Sequence, residues 1–102
     1  MNQKIHTEAV SYLFEAVLSL KDENECYTFF EDICTINEII DMAQRLDTAR
    51  LLDRGMNYND ISREVGVSAA TISRVSRCLH YGAGGYRTVI DRMAGEKEDP
   101  SC

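Results

Sequence analysis

Apolar residues recur at helical spacing along most of the chain, and nowhere do they alternate with the period of two that marks a strand. Ile5, Ala9, Tyr12, Leu13, Ala16, Val17 and Leu20 predict a helix over residues 4–20, and Val10, Phe14 and Leu18 widen its apolar stripe. Asp22 followed by Glu25 makes a capping box that opens a second helix through Ile33. Thr35 followed by Glu38 repeats the device and opens a third helix over residues 36–54, which Gly55 stops as a C′ residue. Asn57 with Asp60 begins a short helix, Tyr58–Val65, that ends at Gly66. Ser68 caps a fifth helix over residues 69–80. Tyr81-Gly-Ala-Gly-Gly then breaks the chain, and a sixth helix over residues 85–93 carries Tyr86, Val89, Ile90 and Met93 on one side. The fold class is all-α: six helices in a single helical domain over residues 1–94, followed by a flexible acidic tail at 95–102, GEKEDPSC.

The first helix is apolar over so much of its circumference that it needs burial on more than one side. A chain of 102 residues offers little to bury it against, which points to a homodimer. A central core helix in a monomer would satisfy the same stripe.

The segment Tyr58–Arg77, YNDISREVGVSAATISRVSR, meets every demand of a helix-turn-helix, placed at about residues 57–79. Ile61 and Val65 supply inward apolar residues one turn apart. Gly66 can take a left-handed turn at no steric cost, and Val67 sends an apolar side chain inward. Ser62 is small where the second helix approaches the first, and Ile72 and Val75 are the inward residues of that second helix. Its outward positions are Ser68, Ala69, Ala70, Thr71, Ser73, Arg74 and Arg77. Small and hydroxyl residues there permit close approach to base edges, alanine methyls can touch a thymine methyl, and the arginines can neutralise phosphate. Together with Asn57, Tyr58 and Asn59 at the start of the first helix, these are the candidate DNA-binding residues. A helix-turn-helix can also serve protein contacts alone.

The net charge of −6 argues at first against a nucleic-acid partner, but the charge is unevenly spread. Residues 1–56 carry a net −6, residues 57–93 a net +2 and residues 94–102 a net −2. The one basic segment contains the helix-turn-helix. The acidic part supports a rival reading, an interaction module whose acidic surface binds a protein partner.

The other signals narrow the field. The N-terminus lacks the apolar core of a signal peptide and no stretch is long enough to span a membrane, so the expectation is a cytoplasmic protein with no membrane partner. Cys26, Cys34, Cys78 and Cys102 form no C-x-x-C pair and are expected to stay reduced, with no metal site. The chain holds no nucleophile elbow, Walker loop or zinc-protease motif, and no enzymatic activity is expected.

Ile33-Cys-Thr35, Arg45, Leu52 through Arg54-Gly-Met56, Glu64-Val-Gly66 and Ala70-Thr-Ile-Ser-Arg74 resemble the Trp repressor family, in its YerC/YecD branch. The resemblance is clearest over Ile33–Leu79, and the flanking helix pattern extends it to most of the chain. It implies a six-helix subunit intertwined with its twin as a homodimer, with two heads reading successive major grooves of double-stranded DNA. It also implies an effector pocket beside the second helix of the motif. The family's ligand threonine matches Thr35, and the two arginines that sandwich the indole of tryptophan match Arg45 and Arg74. A glycine that lies against the indole is Val75 here, and a serine that helps hold the ligand's amino group is Cys78. The branched Val75 would plug the slot, so the head would stand at its DNA-competent angle without tryptophan or would answer another small effector. Arg45 could equally pair with Asp41 or Glu38 on its own helix, and Arg74 could contact phosphate only.

Overall fold

The computed structural model describes residues 3–97, and in them the chain forms six α-helices and no strand. They are α1 (Glu8–Leu18), α2 (Glu23–Ile33), α3 (Ile36–Asp53), α4 (Tyr58–Val65), α5 (Ala69–Tyr81) and α6 (Gly85–Lys97).

Most helix starts are set by local caps. In α2 the Asp22 carboxylate accepts from the Glu25 N–H at 2.8 Å, while Glu25 accepts from the Lys21 N–H at 2.9 Å. At α3 the exchange is reciprocal: the Thr35 hydroxyl accepts from the Glu38 N–H at 3.1 Å, and Glu38 accepts from the Thr35 N–H at 2.8 Å. The expected first helix over 4–20 begins four residues late. Thr7 is extended and its hydroxyl accepts from the Val10 N–H at 3.1 Å, so it caps α1, and Gln3–Ile5 form a separate 3-10 turn. At the other end α6 runs through Lys97, four residues beyond the expected Met93; the rest of the expected tail, 98–102, lies outside the described residues.

The chain divides into two compact units, Met1–Ile39 and Ile40–Cys102. In the first unit neither α1 nor α2 has a buried residue. Tyr12 is 74% exposed, Leu18 84% and Ile36 75%.

The second unit holds the core, in two clusters. Leu51, Ile61 and Ile72 are buried together, with Leu52, Met56, Val65 and Val67 packed around them. Ala49, Val75, Leu79 and Ile90 form the other, with Leu52 and Tyr86 against it. Thus α5 contributes to both clusters, and Leu52 on α3 touches both. Full burial of Ile61 and Ile72 is worth about 1.5–3 kcal/mol each. At the end of α3 the Met56 N–H donates to the Leu51 carbonyl at 3.1 Å and the Gly55 N–H to Leu52 at 3.0 Å, with Gly55 at φ +87°. This closure turns the chain directly into α4.

Candidate nucleic-acid interface

The interface is built on α4, the turn at 66–68 and α5. Asn57 caps α4, its side-chain oxygen accepting from the Asp60 N–H at 2.9 Å. Gly66 ends α4 in the left-handed region, φ +83°, where a side chain would be strained. Ser62 does more than its small size suggests: its hydroxyl donates to the Val67 carbonyl at 2.7 Å and ties the turn to α4. The Gln44 amide on α3 donates to the Val65 carbonyl at 3.5 Å, a second tether on the same turn. Ser68 caps α5, accepting from the Thr71 N–H and donating to the Thr71 hydroxyl, both at 3.2 Å.

Of the expected DNA-facing residues, Asn57, Tyr58, Asn59, Ser68, Ala69, Ala70, Ser73, Arg74 and Arg77 are exposed and Thr71 is half-buried. The cap bonds refine their roles. The Asn57 oxygen and the Ser68 hydroxyl are engaged within the protein, whereas the Thr71 hydroxyl, accepting from Ser68, keeps its own proton to donate. Among the described residues no carboxylate pairs with Arg74 or Arg77, while Arg63 on α4 pairs with Asp60.

Beside α5 lies a cleft of about 400 Å³, lined from α3 by Asp41, Gln44 and Arg45, from the turn by Val67, and from α5 by Thr71, Arg74, Val75 and Cys78. The structure therefore brings together four of the five expected effector residues: Arg45, Arg74, Val75 and Cys78. Thr35 belongs to the first unit, where its hydroxyl caps α3. Val75 forms the floor at 2% exposure, its branched side chain packed into the core. Arg45 has no ion-pair partner among the described residues, so the pairing with Asp41 or Glu38 that its helix allows is not made.

The remaining wall of the cleft is Tyr86 from α6, a residue that the sequence places on one side of the last helix with Val89, Ile90 and Met93 and not at the site. Its signal was its place one turn before Ile90. Burial pushes the Tyr86 phenol above its usual range, Cys78 adds to that, and the Arg45 guanidinium opposes it. No cluster of His, Cys, Asp and Glu among the described residues is arranged to hold a metal ion, and no helix there is long and apolar enough to cross a membrane.

The family model of the Trp repressor protein matches residues 8–94. The chain belongs to the Trp repressor family. It is 49% identical over 98 residues to the uncharacterized protein YerC of Bacillus subtilis (strain 168), covering 96% of this chain and 94% of that protein. A TrpR-like protein from Eubacterium eligens ATCC 27750 has the same fold, with a TM-score of 0.90 at 51% identity over 92% of this chain and 97% of the other. A candidate Trp repressor from Staphylococcus aureus superimposes with a TM-score of 0.87 at 44% identity, over 90% and 92% of the two chains. The family is one of DNA-binding regulators, not of catalysts.

Proposed function

We propose that this chain is a sequence-specific, DNA-binding transcriptional regulator that acts as a homodimer and needs no tryptophan. The observation that carries the reading is the exposed face of α5. It presents small and hydroxyl side chains at its N-terminal end and two unpaired arginines a turn beyond, on a motif tied at Ser62, Gln44 and Gly66. That face fits base edges in a major groove, with Arg74 and Arg77 on the flanking phosphates.

Two features support the homodimer. No residue of α1 or α2 is fully buried, and a groove of about 870 Å³ in the second unit is lined by the exposed Ile40, Leu46, Val89 and Met93. A second copy supplies apolar helices to cover such surfaces. The effector-free reading rests on Val75, whose methyls fill the core where a ring would otherwise enter.

The experiment is a selection from fragmented host DNA at low and moderate salt, with and without tryptophan, alongside the mass of the free protein by light scattering. Recovery of a few sites sharing an inverted repeat, the same set in both tryptophan conditions, is the expected result. Retention of nothing, or of all fragments alike, would favour the interaction module instead, whose acidic surface over residues 1–56 would take a protein partner.

A further inference from the structure

Tyr86 is the aromatic ring that lines the cleft beside α5, and it comes from α6, whereas the other walls come from α3, the α4–α5 turn and α5. The ring packs against the buried cluster of Ala49 from α3, Val75 and Leu79 from α5 and Ile90 from α6. The ring thus packs on a cluster to which α3 and α5 contribute beside its own helix α6. It differs from its neighbour Ile90 in being only half-buried: it packs on the cluster and also lines the cleft, together with Arg45 and Cys78.

The geometry points to Tyr86 as a positioning residue, a built-in wall of the cleft whose ring fixes the angle of α5 against α3 and α6. A close-packed interior transmits the position of one side chain to the elements that touch it. With Val75 of α5 in the buried cluster and the Tyr86 ring of α6 packed against that cluster, α5 is held by the protein's own groups, and its outward face is presented without an added molecule. The consequence for DNA rests on the reading proposed above; the consequence for the packing of α4 and α5 does not.

Three proteins test it: wild type, Tyr86→Phe and Tyr86→Ala, each checked for helix content. Amide hydrogen exchange over α4 and α5 is read in the free protein, and affinity for the selected DNA is read separately, with and without millimolar p-cresol. Tyr86→Ala is expected to exchange faster over α4 and α5 and to bind DNA about tenfold more weakly, within the range over which coupled sites act on one another. A small aromatic can occupy an apolar space left by truncation, so p-cresol restores both readings. Tyr86→Phe keeps the ring and behaves as wild type. Unchanged exchange in Tyr86→Ala, or faster exchange that p-cresol does not slow, overturns the inference. If the alanine variant does not fold, Tyr86→Leu replaces it: faster exchange at normal helix content supports the role of the ring, and unchanged exchange refutes it. Exchange that behaves as expected in a protein that selects no DNA leaves the positioning role standing and removes the DNA-binding reading.

Discussion

Replacing Val75 by glycine separates the packing role of this residue from its proposed role as a closed door. Val75 is 2% exposed and packs with Ala49, Leu79 and Ile90. Removing its three side-chain carbons forfeits about 2.4 kcal/mol of burial, at about 0.8 kcal/mol per carbon. Glycine inside α5 costs about 1 kcal/mol more relative to alanine. The total, about 3–4 kcal/mol, is a large share of the 5–15 kcal/mol that holds a typical domain. Val75→Ala omits the glycine cost and should lose about 2 kcal/mol. Urea denaturation at one fixed protein concentration measures both, the concentration being held because association contributes to stability. Isothermal titration then follows the cleft. Tryptophan should give no heat with wild type and measurable heat with Val75→Gly, whose floor is lowered beneath Arg45 and Arg74. Micromolar tryptophan binding by wild type refutes the reasoning, and so does a loss below about 1 kcal/mol for the glycine variant, since that would mean Val75 is not packed as described.

Gly66→Ala forces a side chain into φ +83° and should cost about 1–2 kcal/mol, read as a lower urea midpoint. Ser62→Ala leaves the Val67 carbonyl without its donor and should cost about 1–2 kcal/mol, with weaker DNA binding at unchanged helix content by circular dichroism. Arg74→Ala and Arg77→Ala should each reduce the slope of log affinity against log salt by about one, measured by fluorescence anisotropy on the selected site; an unchanged slope would remove that residue from the phosphate contacts. Hydrogen bonds from the backbone and side chain of Thr35 hold the Glu38 carboxyl below its usual value of 4.5. The folded state therefore favours the charged form, and the contribution is present above pH 4.5 and lost as pH falls through the lower folded value. Melting curves across that window should fall more steeply for wild type than for Glu38→Gln.

The parts of the fold that were legible in the sequence are those whose cause is local. Asp22, Thr35, Asn57 and Ser68 cap helices because a short polar side chain reaches an N–H three residues on, a relation that needs no tertiary contact. Gly55 and Gly66 stop helices because a left-handed residue does so wherever it occurs. The Thr7 cap is not legible in the same way, because the apolar spacing of Ile5 and Ala9 runs across it and it lacks a glutamate partner. The end of α6 was read short because Gly95 resembles a stop, although a helix tolerates glycine at about 1 kcal/mol. At the site, Arg45, Arg74, Val75 and Cys78 were identified through the family's pattern. Tyr86 was not, because a tyrosine at helical spacing before Ile90 reads as core, and only the packing of α6 on α5 puts its ring in the cleft. The hydroxyl of Ser62 was missed for a similar reason: its partner is a carbonyl that faces it only once the turn has formed.

The distribution of carboxylates reconciles a chain of net charge −6 with the DNA partner proposed above. Of the six helices, α5 alone carries no Asp or Glu. Carboxylates on other elements occupy some of the arginines: Asp47 pairs with Arg50, Asp60 with Arg63, and Asp53 and Asp91 with Arg87. Arg74 and Arg77 are left open. At physiological salt a carboxylate more than about 8 Å from a phosphate is largely screened, while one on α5 would stand in contact. At low salt, where screening is weaker, an acidic body opposes indiscriminate attraction to any duplex, while at either salt it leaves close contacts at α5 intact. With few free cations per head, a larger share of the affinity must come from base edges. On this reading the acidity of the chain favours discrimination between DNA sequences over avidity for DNA as such.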